Sequence, residues 1–282
     1  MLLREIKNIF HKELDTIYPI EEVDSFFQIL IQHYMGLQRF ILALEPNLIV
    51  SKEEEEPLFE GLSQLKLEHP IQYITGVAYF MEMHFAVNKN VLIPRPETEE
   101  LVRWVIDDYS GPKEKINILD VGTGSGCIAI SLAKNLPKAK VYALDVCGQA
   151  LEIAHQNAVT NEVDVIFLKA DILALKALEV KFDVIVSNPP YVREQEKKEM
   201  KKNVLNNEPD LALFVTNKNP LQFYKAILDF AKDNLKQEGI VYFEINQFLE
   251  KETQQLLEDH NFSEIELRKD MFGNNRMLKG SL

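Results

Sequence analysis

The 282-residue chain has the composition of an ordinary folded protein, with 46% hydrophobic and 27% charged residues, and no window approaches the roughly 18 apolar residues of a membrane span. Its 31 basic and 44 acidic side chains give a net charge of −13, which argues against a basic face for nucleic-acid phosphates. Cys127 and Cys147 lack C-x-x-C spacing, which disfavours disulfides and metal sites and favours a reducing cytoplasm.

Residues 1–72 are predicted to form a small helical domain. Apolar side chains recur at helical spacing over 3–10 and 26–34, and the glutamates at 53–56 suit the first turn of a solvated helix. Turn-forming residues are expected to divide this stretch into short helices, at Pro19, Gly36, Pro46 and Pro57. The pattern indicates a bundle without chemistry of its own.

Residues 73–95 are predicted to form a β-hairpin linker. The pattern is strand-like from 79 to 93, and Asn88-Lys89-Asn90 provides a turn signal. Pro94 and Pro96 then precede an amphipathic helix at 97–108.

Residues 96–282 are predicted to form an α/β domain. Strands are predicted at 116–121, 140–144, 165–168, 182–187 and 240–245. Helices are predicted at 128–135, 149–160 and 220–236. Short apolar strands separated by helices indicate a parallel sheet covered on both faces. Two closing strands, at 263–268 and 276–279, suit an antiparallel hairpin at the sheet edge.

A glycine-rich segment, D-V-G-T-G-S-G at 120–126, follows the first strand of the sheet and precedes a helix. Glycines allow a ligand to approach the backbone at a strand's carboxyl end. A dinucleotide-binding G-x-G-x-x-G would need its third glycine at Cys127. The G-x-G-x-G spacing instead resembles the S-adenosylmethionine loop, with a tight turn as the alternative. The predicted cofactor residues are Gly122, Thr123, Gly124 and Gly126.

Acidic side chains follow the second and third strands of the sheet. Asp145 lies 23 residues beyond Gly122, where a carboxylate can accept both ribose hydroxyls; the alternative is an N-cap. Asp171 resembles the methyltransferase residue that accepts the adenine amino group, with the backbone of Ile172 beside it.

The fourth strand is followed by Asn188-Pro189-Pro190-Tyr191, at the edge where open parallel sheets bind ligands. Two prolines fix an extended backbone and remove two donors. A carboxamide and a rigid carbonyl can then hold an NH2 group, and Tyr191 offers a flat face. We therefore predict Asn188, Pro189 and Tyr191 as catalytic and all four residues as substrate-binding, with Asn188 also bordering the cofactor. The alternative is a turn that ends the strand.

With these residues the sequence resembles the Rossmann-like methyltransferases that carry N-P-P-Y, and within them the release factor glutamine methyltransferases (the PrmC/HemK group). The shared segments are Q-Y-I-T-G at 72–76, I-P-R-P-E-T-E at 93–99, E-P at 208–209, L-A-L at 211–213, and K-D at 269–270 with Gly273 and Arg276. One departure is Asn246, where the family usually has glycine.

The resemblance implies S-adenosylmethionine-dependent N5-methylation of the Gly-Gly-Gln glutamine in class I release factors. It also implies that residues 1–72 grip the release factor. Independently of the resemblance, we expect a cytoplasmic monomer with no metal, no membrane contact and no nucleic-acid substrate. Residues 192–219 would be a mobile flap or a solvated connector, and Arg95 and Glu97 would order the domain junction or border the pocket. Three alternatives stay open. The protein would methylate DNA adenine, because enzymes of that class also carry N-P-P-Y, or it would methylate a glutamine of a ribosomal protein. In the third alternative it binds the cofactor without catalysis.

Overall fold

The computed structural model describes residues 1–111 and 115–282. These residues form two compact units, which we call the helical unit (Met1–Gly76 with Lys201–Asn207) and the sheet unit (Val77–Met200 with Glu208–Leu282). The boundary at Gly76 falls inside the predicted linker, and the hairpin belongs to the sheet unit. No helix among the described residues has the length and apolarity to cross a bilayer.

The first unit is a helical bundle whose core contains Phe10 and Phe27, packed edge to face at 5.3 Å between ring centroids. Its helices are α1 (Leu3–Leu14), α2 (Ile20–Met35), α3 (Ile41–Leu44), α4 (Lys52–Lys66) and α5 (Ile71–Thr75). Pro57 was expected to end a helix, and that prediction is wrong, because it lies within α4. The helix starts with a reciprocal cap between Ser51 and Glu54. Although Pro57 has no N–H to donate, the helix is stabilised by the burial of Leu58, Leu62 and Leu65.

The hairpin between the helices and the main sheet turns earlier than predicted. Strands β1 (Val77–Phe80) and β2 (Met83–Ala86) pair antiparallel through Met81 and Glu82. Both turn residues have positive φ, 48° and 62°, the geometry that matches strand twist in a two-residue hairpin. The signal at Asn88-Lys89-Asn90 marks a separate turn after β2. Sequence reasoning missed the true turn because it contains neither glycine nor asparagine.

The second unit is built on a seven-stranded sheet with strand order β10-β11-β9-β6-β3-β4-β5, which confirms the predicted fold. Its strands are β3 (Asn117–Val121), β4 (Lys140–Asp145), β5 (Val165–Lys169), β6 (Phe182–Ser187), β9 (Leu235–Glu244), β10 (Ser263–Lys269) and β11 (Asn275–Ser281). The first five of these are parallel, and β11 pairs antiparallel with both β9 and β10. Strand β9 starts at Leu235, five residues before the predicted strand. Its pairing with β6 contains an irregularity between Phe182 and Val184.

Helices cover the sheet on both faces. They are α6 (Pro96–Tyr109), α7 (Cys127–Asn135), α8 (Gly148–Thr160), α11 (Gln222–Asn234) and α12 (Glu250–Asp259), of which α12 was not predicted. Buried Trp104 of α6 packs edge to face on Tyr242 at 5.6 Å, and the Arg268 guanidinium lies 4.0 Å from its ring centroid.

The segment from 192 to 219, expected to be a flap or a plain connector, contains several short elements. They are β7 (Val192–Arg193), a 3₁₀ helix (Glu194–Glu199), α9 (Lys202–Asn207), α10 (Asp210–Leu213) and β8 (Phe214–Val215). Strands β7 and β8 pair in parallel, and α9 belongs to the helical unit. The segment is therefore structured, which its polar composition concealed.

Candidate active site

A cavity of about 220 Å³ opens at the carboxyl ends of β3, β4 and β6. Most of the residues predicted for the site line it: Gly122, Gly124, Asp145, Asp171, Ile172, Asn188, Pro189 and Pro190. They meet because parallel strands end at one edge of the sheet. Leu144, Phe223 and Ile227 add apolar wall, so the cavity combines a nonpolar lining with a few polar groups, as small-molecule sites do.

Three predicted residues lie behind the cavity wall. The Thr123 hydroxyl turns inward and donates to Asp120, and Tyr191 points its hydroxyl at Glu244. Gly126 caps α7 at φ 82°, and a Cβ there would lie 2.8 Å from Ile130 Cδ1 and 3.1 Å from Ala154 Cβ. Gly126 thus lets α7 and α8 approach closely.

The glycine loop is anchored by Asp120, the first residue of the glycine-rich segment, to which sequence reasoning gave no role. Its Oδ2 accepts from the Thr123 hydroxyl at 2.6 Å and from the Ala129 amide at 3.2 Å. Its Oδ1 is buried without a hydrogen-bond partner in the described structure. Burial raises the pKa of this carboxyl to about 7, although the two hydrogen bonds act to lower it.

Asp145 lies at the end of β4 and faces the cavity. Its Oδ2 accepts from the Gly124 amide and its Oδ1 from the Cys147 amide, each at 2.9 Å. Burial raises the pKa of its carboxyl, while these amides oppose the rise. A carboxylate has about four acceptor positions, so acceptor capacity remains for ligand hydroxyls. The alternative role as N-cap is not observed, because Cys147 precedes α8.

Asp171 and Ile172 form the next part of the wall, beyond β5. The Leu173 amide donates to Asp171 Oδ1 at 2.9 Å, and the Ile172 side chain is buried. This arrangement places an acceptor beside an apolar surface, which suits the edge and face of a planar ring.

A buried hydrogen-bond network stands behind Asn188. The Asn188 amide Nδ2 donates to Thr98 Oγ1 at 3.1 Å, and the Thr98 hydroxyl donates to Glu244 Oε2 at 2.6 Å. The Tyr191 hydroxyl donates to Glu244 Oε1 at 2.8 Å. Burial raises the pKa of Glu244, opposed by these donors and by Arg276. Sequence reasoning assigned no role to Thr98 or Glu244, although a carboxylate ending an apolar strand was a signal.

Asn246, the departure from the family pattern, has an ordinary backbone with φ −69°. Its side-chain amide donates to the Tyr191 carbonyl at 3.0 Å and to Glu196 at 2.9 Å, while its Oδ1 accepts from the Phe248 amide. The asparagine thus ties the end of β9 to the segment after Asn188.

Arg95 lies beside the cavity wall and forms an ion pair with buried Glu208. The other oxygen of Glu208 accepts from the Ile93 amide at 3.2 Å. Pro209 and Leu211, which follow Glu208, line the cavity, so the ion pair lies next to the cavity wall. Both partners lie within the sheet unit.

Comparison with known proteins places the chain in a family. It is 50% identical over 281 residues to the release factor glutamine methyltransferase of Flavobacterium psychrophilum, covering 99% of both chains. The chain belongs to the release factor glutamine methyltransferase family. A second member, from Bacteroides thetaiotaomicron, is 39% identical and covers 98% of this chain and 99% of its own.

Family models divide the chain in a way that agrees with this membership. The PrmC N-terminal domain matches residues 8–76, and the methyltransferase small domain matches residues 105–211. Among solved structures, a methyltransferase from Pyrococcus furiosus aligns at TM-score 0.52 and 18% identity, covering 82% of this chain and 98% of its own. The T. Thermophilus 16S rRNA N2 G1207 methyltransferase with AdoMet and guanosine aligns at 0.52 and 18%, covering 73% and 49%. These structures share the fold.

Proposed function

We propose that the protein transfers a methyl group from S-adenosylmethionine to the side-chain nitrogen of the glutamine in the Gly-Gly-Gln motif of class I peptide chain release factors. The observation that carries the proposal is Asn188-Pro189 at the rim of a cavity suited to that cofactor. Full-length similarity to release factor glutamine methyltransferases supports the substrate. We also propose that the protein is a monomer and that it does not act on nucleic acid.

The residues of the cavity fit the cofactor. Gly122 and Gly124 have positive φ and open space where a Cβ would stand, so a ligand can lie against the loop backbone. Asp145 would accept the ribose hydroxyls, and Asp171 with Ile172 would hold the adenine. Thr123 and Gly126 would support the loop. When bound, the cofactor supplies a methyl group on a positively charged sulfur, which the nearby carboxylates favour.

Asn188 and Pro189 would prepare the substrate nitrogen. A primary amide is a weak nucleophile because its lone pair is delocalised into the carbonyl. The Asn188 side-chain oxygen and the Pro189 carbonyl would accept the two N–H bonds and aim the nitrogen at the methyl carbon. Pro190 would keep this turn rigid, and Tyr191, which lies behind the wall, would brace it through Glu244.

Asn188 and Pro189 would hold the substrate nitrogen in line with the methyl group that the bound cofactor would supply. As the nitrogen–carbon bond forms, the carbon–sulfur bond would break to leave a neutral thioether, and the substrate nitrogen would release one proton to water. Orientation of this kind can contribute many orders of magnitude in rate without a strong base.

The test is transfer of labelled methyl from S-adenosylmethionine to a purified, unmethylated class I release factor. A release factor with Gly-Gly-Ala in place of Gly-Gly-Gln, an unmethylated ribosomal protein fraction and duplex DNA serve as controls. We expect label on the first substrate alone, and its loss with Asn188→Ala. Label on DNA or on a ribosomal protein instead would refute the proposed substrate.

A further inference from the structure

The side chains behind Asn188 form a directional chain of hydrogen bonds. Strands β6 and β9 are paired in register at Ser187 and Phe243, so the next residues, Asn188 and Glu244, lie side by side. Thr98, in the first turn of α6, stands between them. Thr98 and Glu244 are both buried, at 3% and 2% exposure, so water does not compete for their bonds.

The direction of each bond follows from which groups can donate. The Thr98 and Tyr191 hydroxyls and the Arg276 side chain favour the ionised form of Glu244 and oppose the effect of burial. An ionised carboxylate only accepts, and a hydroxyl has a single hydrogen. Glu244 receives Tyr191 on one oxygen and Thr98 on the other, which commits the Thr98 hydrogen. The Thr98 oxygen can therefore only accept from Asn188, and the group that faces it must be the NH2.

This constraint decides which end of the Asn188 amide remains for a ligand. With its NH2 held by Thr98, the amide leaves Oδ1 for the cavity, and no donor meets that oxygen within the described structure. A flipped amide would set two oxygens against each other behind the wall and would present an NH2 to the substrate NH2. Both changes leave buried polar groups without partners, which is costly.

We propose that Thr98 and Glu244 are positioning residues, which fix the Asn188 carboxamide with its oxygen toward the substrate nitrogen. The inference rests on the proposed function, because it assigns the oxygen the task of accepting from an amide NH2. The inference adds Thr98 and Glu244 to the residues that select an amino nitrogen. Thr98 lies 90 positions from Asn188 in the sequence, and Glu244 lies 146 positions from Thr98.

The decisive variant is Thr98→Val, which keeps the shape of the side chain and removes the hydroxyl. We expect kcat for methylation of the release factor to fall by about tenfold or more, since misaligned reacting groups lose rate steeply. The dissociation constant of S-adenosylmethionine, measured by titration calorimetry, should stay within about twofold. Thr98→Ser restores a hydroxyl and should recover most of kcat.

A matched control separates positioning from simple loss of a buried hydroxyl. Thr253 of α12 is also buried, and its hydroxyl donates at 2.7 Å to the carbonyl of Leu249, the residue that immediately precedes this helix. Thr253→Val should leave kcat nearly unchanged. An unchanged kcat in Thr98→Val, an equal loss in Thr253→Val, or a loss that serine does not recover would overturn the inference.

A second measurement does not depend on activity. In protein labelled with ¹⁵N-asparagine, the side-chain NH2 signals that vanish in Asn188→Ala identify Asn188. We expect slow hydrogen exchange of these signals in the native protein and fast exchange in Thr98→Val. If the native protein methylates no release factor, the proposed function fails while this result still decides the orientation; equal exchange in both proteins would refute it.

Discussion

At the scale of single residues, two buried aspartates of the sheet unit show how partners decide a carboxyl's pKa. Burial raises the pKa of Asp120 to about 7, because only Thr123 and one amide offset the loss of water. Burial also acts on Asp270, yet the Asn274 amide and the Arg276 side chain hold its pKa below the ordinary value.

The Asp120 shift should appear in the pH dependence of stability. The folded state holds the Asp120 proton more tightly than the unfolded state, so the contribution of Asp120 to the free energy of unfolding should fall from about pH 4 to pH 7 and then level. At about 1.36 kcal/mol per pKa unit the contribution amounts to a few kcal/mol. We expect Asp120→Asn to remove this decline, measured by urea unfolding across that range.

Asp270→Asn provides a control of opposite sign. A lowered pKa contributes stability that is present at neutral pH and lost as pH falls through the folded value. The variant should therefore lose stability at pH 7 and little at low pH. If Asp120→Asn declined as steeply with pH as the native protein, the account of Asp120 would be wrong.

Site residues carried by contiguous motifs were predictable from the sequence. The cavity includes Gly122, Asp145 and Asn188 because each lies at the carboxyl end of a strand of the parallel sheet. Thr98 and Glu244 were not assigned a role, since their bond joins residues 146 positions apart and depends on helix α6 meeting β9. Local spacing contains no information about such pairs.

At the scale of elements, the segment after Glu208 is held on the sheet unit by the ion pair with Arg95. The Glu208 side chain is 1% exposed and the Arg95 side chain 33%. Removing one partner of a buried pair leaves an uncompensated charge, although partial exposure of Arg95 reduces the cost. We expect Arg95→Met to destabilise the protein by about 1–3 kcal/mol in urea unfolding.

Lys232→Met is the matched control for that substitution. Lys232 lies 3.6 Å from Asp229, and both side chains are exposed, so its loss should cost less than about 0.5 kcal/mol. Equal effects of the two variants would show that burial of Glu208 does not matter to stability.

Element prediction succeeded where periodicity was strong and failed where tertiary contacts decide. Strands β3 to β6 lie within one residue of their predicted bounds, because each is a short apolar run. The hairpin turn at Met81 and Glu82 was missed, because the backbone there takes positive φ without glycine. Asn157 helps to hold that hairpin, accepting from the Ala86 amide at 2.7 Å and donating to the Ala86 carbonyl at 3.0 Å. This support comes from a residue 71 positions away.

At the scale of the whole molecule, the residues that line the cavity proposed for the cofactor all belong to the sheet unit. A ligand that binds only the folded state stabilises it, by about 2.7 kcal/mol at a concentration 100-fold above its dissociation constant. We expect S-adenosylmethionine to raise the unfolding temperature of that unit in scanning calorimetry. Asp145→Asn should reduce the rise at equal cofactor concentration, because an amide offers fewer acceptor positions to the ribose.

Asp164→Asn makes the same chemical change at an exposed position outside the cavity, and should preserve the full rise. A native protein whose unfolding temperature does not respond to the cofactor would contradict the assignment of the cavity. An undiminished rise in Asp145→Asn would contradict only the role given to that carboxylate.

Trp104 gives the molecule a built-in optical reporter. It is the single tryptophan of the sequence, and it is buried in the sheet unit against Tyr242 and beneath Arg268. Fluorescence excited at the red edge of the absorption band therefore follows the sheet unit alone, whereas far-ultraviolet circular dichroism records the helices of both units. The two signals, followed in one titration, distinguish concerted melting from melting of one unit at a time.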